Sequence, residues 1–296
     1  MKNFFILGCY RSGTSLLRTS LNASTKIFIP EETKFLVYLL SKTKDQIEIS
    51  KIIEILKKQK WEDIPSKSEI KEIIRNSKSS DEILFNFIFS IANKSNLEAI
   101  GDKTPYYIKI LDKILSFPRK PKVIAMLRDP RDVYCSVRNL HIGYGRSPGL
   151  LAIDWYLRNI TILDHKESIF ICRYEDFVQE PRKELEKITN FLDVSFDEEM
   201  LSPQNSKAAK SLSRQEHHKS LLNSINTKSY LRYKTELNKI EIRIIDLIAG
   251  PLMHSFGYKT MHPKRKLVDY IFIFIILIIE MPYSLIKTKL IRLKKL

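Results

Sequence analysis

A short loop near the start of the chain has the residue types and spacing that bind an anion. Gly8 and Gly13 enclose four residues in the pattern G-x-x-x-x-G, an apolar stretch precedes them, and residues 16–18 begin a helical pattern. Backbone N–H groups of such a loop, together with the N-terminus of the following helix, hold phosphate or sulfate groups. The loop residues that this pattern predicts as anion contacts are Arg11, Ser12, Gly13, Thr14 and Ser15.

The loop lacks a residue that nucleoside triphosphate chemistry requires. The position that a kinase or NTPase fills with lysine holds Thr14, and the cation of the loop is Arg11 instead. In those enzymes the lysine contacts the β- and γ-phosphates beside Mg²⁺. Its absence argues against ATP chemistry. A P-loop kinase stays an alternative, which binding of Mg·ATP would revive.

A second pattern predicts another anion site in the middle of the chain. Residues 122–127 form an apolar run typical of a buried strand, and Arg128 follows directly. Asp129 is a candidate N-cap and Pro130 a candidate first helical residue. Ser136 comes two turns later, and helical side chains tilt toward the N-terminus, so we expect its hydroxyl to lean back toward Arg128. A guanidinium, a hydroxyl and a helix dipole would then share one phosphate.

Both patterns resemble sites of the sulfotransferases that use 3′-phosphoadenosine-5′-phosphosulfate (PAPS). Residues 8–17 are similar to the family's 5′-phosphosulfate loop, and Arg128 with Ser136 to its 3′-phosphate site, especially in the branch of tyrosylprotein and many bacterial sulfotransferases. The resemblance spans about residues 3–258. It implies in-line transfer of a sulfuryl group from PAPS to a hydroxyl of a carbohydrate, lipid or protein tyrosine. The product would be adenosine 3′,5′-bisphosphate, and no metal is needed.

The resemblance also assigns the chemical roles. Glu32, in a Glu-Glu-Thr run, matches the family's general base, whereas Glu31 reads as an acid at a helix start. Lys103 lies in a Gly-Asp-Lys-Thr-Pro segment similar to one that supplies the family's lysine, so Lys103 and Arg11 would stabilise the transferring group. Because Pro105 can begin a helix, we expect Lys103 to lie in the loop before it.

Two later segments resemble the same family. Tyr174 lies in an Arg-Tyr-Glu-Asp run and is expected either near the nucleotide or packed in the core. Arg232 lies in a stretch similar to the family's S-x-G-R-W-R-x-E-L and would lie by the nucleotide. Leu231 replaces the family's glycine and Tyr233 its tryptophan, which leaves backbone contacts with the donor open at this point.

The elements that position these residues read as an α/β fold. Short apolar runs at residues 4–7, 123–127 and 169–172 alternate with helical patterns. This alternation predicts a P-loop-type central parallel sheet flanked by helices. Residues 34–93 show successive amphipathic helices and no strand, which predicts a helical insertion. A late helix is expected at residues 236–249, closed by Gly250-Pro251.

The last part of the chain differs in composition. Residues 270–279 are ten unbroken apolar residues with basic residues on both sides, so a sulfotransferase domain at 1–260 and a membrane-associating tail at 261–296 are predicted. The apolar window 267–286 includes Asp269 and Glu280. A hydrophobic helix lying on or re-entering an anionic membrane surface is favoured over a span or a buried helix. An inactive, membrane-tethered nucleotide-binding protein is the remaining alternative function.

Charge and cysteine usage bound the partners and the compartment. The net charge of +16 predicts an anionic partner, assigned here to the donor and a membrane surface and not to nucleic acid. Three cysteines show no metal-ligand or disulfide spacing, and the chain opens on a strand pattern without a signal peptide. The predicted location is the cytoplasm, at the periphery of a membrane. The acceptor's identity and the oligomeric state stay open.

Overall fold

A parallel sheet forms the centre of the described structure. The computed structural model describes residues 1–59, 61, 64–92, 96–138, 147–206 and 224–261. Among these residues the strands are Lys2–Gly8 (β1), Ile27–Phe28 (β2), Ala99–Lys103 (β3), Lys122–Leu127 (β4) and Phe170–Arg173 (β5). Their order is β2-β3-β1-β4-β5, and β1 pairs in parallel with both β3 and β4. The predicted central parallel sheet is therefore confirmed.

Helices connect the strands, as the alternating pattern predicts. In the described part of the chain they are Thr14–Ala23 (α1), Leu36–Leu39 (α2), Ile49–Lys58 (α3), Lys67–Asn76 (α4), Ser80–Ser90 (α5), Leu111–Leu115 (α6), Pro130–Val137 (α7), Pro148–Asp164 (α8), Tyr174–Gln179 (α9), Pro181–Leu192 (α10), Tyr233–Glu236 (α11) and Lys239–Ser255 (α12). A 3₁₀ helix, Pro105–Ile110, precedes α6. The described residues between β2 and β3 contain helices and no strand.

Strand β3 was not among the predicted strands, and it changes the placement of Lys103. Lys103 is the last residue of β3, paired in register with Ile6 of β1, so the prediction of a loop position was wrong. All of β3 is buried although it contains Gly101, Asp102 and Lys103. Gly101 is required by packing, because a Cβ there would lie 2.5 Å from the ring of Phe4. Polar residues at the end of a buried strand hid it from a hydrophobicity pattern.

Helix α12 passes through the residues that were expected to end it. It begins after Asn238, whose side chain accepts from the N–H groups of Ile240 and Glu241, and it continues beyond Pro251 to Ser255. Proline has no N–H and crowds the preceding turn, so it normally ends or bends a helix. Burial of Leu252 and Met253 favours continued helix here. The expected end at Gly250-Pro251 was wrong.

The described chain divides into two compact units, each with its own apolar core. Of the described residues, those at 1–8, within 13–126 and within 167–226 form the first unit, and those at 9–12, within 127–166 and at 227–261 form the second. In the first unit the ring of Phe5 meets the ring of Phe85 edge-on, with centroids 5.2 Å apart. In the second, α8 packs on α12, and the fully buried Trp155 contacts Phe256 edge-on at 6.4 Å.

The predicted membrane-associating tail cannot be placed on this fold, because residues 262–296 lie outside the described part of the chain. Within the described ranges, none of the helices has the length and apolar character needed to cross a bilayer. The predicted C-terminal hydrophobic helix is therefore not confirmed and stays a prediction.

Candidate active site

The loop after β1 makes a tight turn that includes two residues with left-handed backbone angles. Arg11 adopts φ 64° and Gly13 φ 98°, both in the left-handed region. The Ser12 hydroxyl donates to the Cys9 carbonyl oxygen at 2.6 Å and closes the turn. A residue other than glycine pays a conformational cost at such angles. The Arg11 conformation therefore indicates a loop whose shape is set by its surroundings.

Gly13 is needed for space as well as for its backbone angles. A Cβ at Gly13 would lie 2.5 Å from Cδ2 of Tyr174 and 3.3 Å from the methyl group of Met126. Tyr174 is buried at the start of α9. Of the two placements expected for Tyr174, the structure shows its ring packed against the phosphate-loop glycine.

The N-terminus of α1 has the features of an anion site. Gly13 is the N-cap residue, and within the described chain no side chain caps the helix and no acid lies in its first turn. Thr14, which is buried, and Ser15, which is half-buried, are its first two residues. The first N–H groups of a helix have no partner within the helix and carry partial positive charge. Thr14 and Ser15 are thus placed where the loop pattern predicts anion contacts.

A cluster of two arginines and a serine, called here the arginine cluster, lies in the second unit. The Arg11 Nε donates to the Ser136 hydroxyl at 3.0 Å. The guanidinium of Arg128, which is 5% exposed, donates to the carbonyl oxygens of Arg11 at 2.9 Å and Ser229 at 2.5 Å. Ser136 was expected to lean toward Arg128, and the contact that the structure shows is with Arg11. The cluster brings Arg11, Arg128 and Ser136 together.

Asp132 holds the chain segment that carries the Ser229 carbonyl. Its two carboxylate oxygens accept from the N–H groups of Leu231 at 2.8 Å and Tyr233 at 2.9 Å. Burial raises the pKa of Asp132, while the Tyr233 N–H and the charge of Arg128 act to lower it. Leu231 keeps φ 56°, a left-handed conformation that glycine adopts without strain. The carboxylate compensates for that strain with two hydrogen bonds.

The strain at Leu231 makes a direct prediction about stability. Leu231→Gly and Leu231→Ala remove the same packing, but only glycine relieves the left-handed backbone, so we expect the glycine variant to be more stable by about 1 kcal/mol. In a protein of this size that difference shifts the unfolding midpoint by about 2 °C. Thermal unfolding of the two variants side by side measures it. An alanine variant as stable as the glycine variant would show that Leu231 is unstrained.

Arg232 was predicted to lie by the nucleotide, and in the structure its guanidinium pairs with a carboxylate of the same chain segment. Its guanidinium pairs with Glu236, one turn later, at 2.6 Å and 3.1 Å. The side chain is 32% exposed. A contact with the donor stays a prediction for this residue.

The first unit contains a carboxylate held between two lysines, called here the Glu32 site. The Lys103 Nζ lies 2.8 Å from Oε1 of Glu32, and the Lys34 Nζ lies 3.1 Å from Oε2. The two lysines differ in exposure, since the Lys103 side chain is 3% exposed and that of Lys34 41%. The structure thus brings together the predicted base and the predicted charge-stabilising lysine, which are 71 positions apart in the chain.

The electrostatics of the Glu32 site keep its charges in place. Burial raises the pKa of Glu32, but the ammonium groups of Lys103 and Lys34 outweigh burial and hold that pKa below its ordinary value. Burial lowers the pKa of Lys103, and Glu32 opposes this effect. Glu32 is therefore a carboxylate at neutral pH, which is the form that accepts a proton.

Three further residues around Glu32 were not predicted to have a role. The Thr33 hydroxyl contacts the Asp102 carboxylate and the Tyr107 hydroxyl, and all three side chains are fully buried. Asp102 directly precedes Lys103, and Thr33 directly follows Glu32. The sequence signal was a polar residue beside each predicted catalytic residue, Thr33 beside Glu32 and Asp102 beside Lys103. Chain separation concealed that the two pairs meet.

Comparison with known proteins identifies the family to which these residues belong. The model of the "Sulfotransferase family" matches residues 3–198, more than half of the 296 residues. A "Putative protein-tyrosine sulfotransferase" of Caenorhabditis briggsae is 28% identical over 282 residues, covering 88% of this chain and 90% of that protein. Another of the same description from Caenorhabditis elegans is 30% identical over 196 residues, covering 62% of this chain and 75% of that protein.

Solved structures support the fold. The "Sulfotransferase Domain from the Synechococcus PCC 7002 Olefin Synthase" superposes with a TM-score of 0.64 at 23% identity, covering 88% of this chain and 97% of that domain. The "Sulfotransferase Domain from the Curacin Biosynthetic Pathway" gives a TM-score of 0.59 at 21% identity, covering 88% of this chain and 99% of that domain. In the described ranges no group of His, Cys, Asp and Glu side chains is arranged to bind a metal ion.

Proposed function

This chain belongs to the sulfotransferase family, and from that premise we propose that it transfers a sulfuryl group from PAPS to a hydroxyl acceptor, with Glu32 as the general base. The observation that carries the proposal is the 2.8 Å contact between the Lys103 ammonium and the Glu32 carboxylate. This pair supplies both a proton acceptor and a buried positive charge. Sulfuryl transfer, like phosphoryl transfer, depends mainly on positioning and on charge stabilisation.

The proposed reaction is a single in-line displacement. The acceptor oxygen attacks the sulfur of PAPS, and its proton passes to the Glu32 carboxylate. The bond between sulfur and the 5′-phosphate oxygen breaks, and its electron pair leaves on adenosine 3′,5′-bisphosphate. The negative charge that develops on the leaving oxygen and the transferring oxygens requires cations. We assign this task to Lys103 and Arg11, and the N-terminus of α1 adds the N–H groups of Thr14 and Ser15.

The arginine cluster is assigned to the 3′-phosphate of the donor. Arg128 and Ser136 supply a guanidinium and a hydroxyl, the donor types that bind phosphate through charge-assisted hydrogen bonds. Arg128 is buried and anchored on two carbonyl oxygens, so its guanidinium is held in a fixed direction. Tyr174 packs on Gly13 and would keep the loop open to the 5′-phosphosulfate.

The acceptor class follows from the strength of the base. The lysines hold the pKa of Glu32 below its ordinary value, so Glu32 is a weak base. A weak base favours an acceptor whose hydroxyl is itself acidic, and a phenol with a pKa of about 10 is more acidic than a sugar or lipid alcohol. The relatives described as protein-tyrosine sulfotransferases agree with this choice. We therefore propose a tyrosine-type phenol as the preferred acceptor.

Binding of the two adenosine nucleotides that differ only in the 3′-phosphate tests the donor assignment. We expect adenosine 3′,5′-bisphosphate at about 100 times its dissociation constant to stabilise the protein by about 2.7 kcal/mol. Adenosine 5′-monophosphate should stabilise it much less, because it lacks the 3′-phosphate. Arg128→Ala should abolish this difference between the two ligands. Thermal unfolding with each ligand, referred to each variant's own ligand-free midpoint, measures the effect.

The matched control is Arg243→Ala, which removes an exposed arginine of α12 in the same unit. It should keep the full preference for the bisphosphate. Ser136→Ala should reduce the preference in part. If Mg·ATP stabilises the protein and the bisphosphate does not, the donor assignment is wrong and the P-loop kinase hypothesis replaces it.

A further inference from the structure

Contacts at both ends of one chain segment hold Glu32 in position, and the role that we infer for them rests on the proposed function. Glu32 lies in an irregular stretch, residues 29–35, which together with Leu36, the first residue of α2, is called here the base segment. A carboxylate in an irregular segment reaches a fixed position only if neighbouring elements hold the backbone. The contacts at both ends of the base segment show how this is achieved.

Helix α1 holds the first end of the base segment. The carbonyl oxygen of Ile29 accepts from Arg18 Nε at 3.2 Å and from Asn22 Nδ2 at 2.7 Å. The Ile29 N–H donates back to Asn22 Oδ1 at 2.9 Å. Arg18 and Asn22 are one helical turn apart, so they lie on the same face of α1. Both backbone groups of Ile29 are thus fixed to one rigid helix.

A buried chain of hydrogen bonds holds the second end. The Leu36 N–H donates to the Tyr107 hydroxyl oxygen at 2.9 Å, and the Thr33 hydroxyl donates to Asp102 Oδ2 at 2.5 Å. The Thr33 and Tyr107 hydroxyl oxygens lie 3.1 Å apart. A hydroxyl has one proton to donate, and that of Thr33 goes to Asp102. The Tyr107 proton must therefore point to Thr33, and the chain runs from Leu36 through Tyr107 and Thr33 to Asp102.

The two ends meet at the Glu32 site through neighbouring residues. Asp102 and Lys103 are consecutive in β3, and they contact Thr33 and Glu32, which are also consecutive. Successive side chains of a strand point to opposite faces. The end of β3 therefore contacts the base segment through two side chains that point in opposite directions. A shift at Thr33 therefore changes the Glu32 to Lys103 distance directly.

We propose that Asp102, Thr33 and Tyr107 are positioning residues, and that the Thr33 hydroxyl keeps the Glu32 carboxylate against Lys103 for proton transfer. Burial of Asp102 accords with this role. Burial raises the pKa of Asp102 to about 6, with the Thr33 hydroxyl acting to lower it and Glu32 and Lys103 nearby. A carboxyl whose pKa is raised on folding stabilises the protein most at low pH, and this contribution is lost as pH rises through about 6. A buried Asp102 at neutral pH therefore lowers the stability of the protein, and its role in this proposal is to hold Thr33.

Thr33→Val and Thr33→Ser test the proposal in the full-length protein. Valine has the shape of threonine without the hydroxyl, and serine keeps the hydroxyl. We expect Thr33→Val to lower kcat for sulfuryl transfer from PAPS to a tyrosine-containing peptide at least about tenfold, with KM for PAPS unchanged. Thr33→Ser should restore most of kcat. Thr189→Val removes an equally buried hydroxyl from α10 and should leave kcat unchanged.

The titration of Glu32 gives a readout that does not require turnover. Carbon-13 NMR of protein labelled at glutamate carboxyls, with the Glu32 signal assigned by its loss in Glu32→Gln, follows its pKa. In Thr33→Val the carboxylate should move from Lys103 and its pKa should rise, whereas in Thr33→Ser it should match wild type. Tyr107→Phe should act in the same direction and serves if the valine variant does not fold. A Glu32 pKa that is unchanged in both Thr33→Val and Tyr107→Phe would overturn the proposal. Absence of sulfuryl transfer by the wild-type protein would overturn only the proposed function.

Discussion

Glu32→Gln is expected to lower kcat by about 10²–10⁴-fold, the range for removal of a general base. The amide has nearly the same shape as the carboxylate but cannot take the acceptor's proton. Because the lysines hold the pKa of Glu32 below its ordinary value, wild-type activity should be constant around neutral pH and fall only as pH drops through that pKa. Transfer of radiolabelled sulfate from PAPS to a tyrosine-containing peptide measures both the rate and its pH dependence.

Two controls decide whether the loss belongs to the base. Glu31→Gln makes the same change at the adjacent position, which was expected to be a helix-start acid but lies in the irregular segment before α2 and has no assigned catalytic role, and it should keep most of the activity. Glu32→Gln should keep the stabilisation by adenosine 3′,5′-bisphosphate, which separates catalysis from donor binding. A Glu32→Gln enzyme with more than a tenth of the wild-type kcat would mean that another group accepts the proton.

The fold could be predicted wherever burial made a continuous apolar run. Strands β1, β4 and β5 were located in this way, and the spacing of glycines located the loop before α1. Strand β3 could not be found by the same reasoning, because it ends in two buried ionisable residues, Asp102 and Lys103. Their burial is stabilised by Thr33 and Glu32, which are far away in the chain. A hydrophobicity pattern contains no information about such compensation.

The sequence predicted which residues belong to the candidate site better than it predicted the contacts among them. Glu32, Lys103, Arg11 and Arg128 were identified from motifs, and the structure pairs Glu32 with Lys103. The contact of Ser136 with Arg11 was not predicted, because helix geometry fixes the direction of a side chain but not which of two arginines reaches it. The backbone of Leu231 could not be predicted either. This leucine has a left-handed conformation typical of glycine, and its N–H donates to the Asp132 carboxylate.

Lys103→Met is expected to lower kcat by about 10²–10³-fold, the usual effect of removing one group that stabilises transition-state charge. Methionine fills the space of the lysine stem without its charge. The variant should also change the pH profile. Lys103 is the larger of the two lysine effects that lower the Glu32 pKa, so its removal should raise that pKa and move the acid limb of the kcat profile to higher pH. The kcat profile of the variant, measured with the same peptide acceptor, tests both effects.

Lys34→Met is the matched comparison, because Lys34 contacts the other oxygen of the same carboxylate from a position that is 41% exposed. Solvent screens an exposed charge, so its removal should move the acid limb less and leave kcat much closer to wild type. If a buried ammonium is what stabilises the transferring sulfuryl group, the two variants must differ by at least about tenfold in kcat. Equal losses would mean that both lysines act only by setting the charge of Glu32. The remaining candidate for the catalytic cation would then be Arg11, the arginine of the phosphate loop.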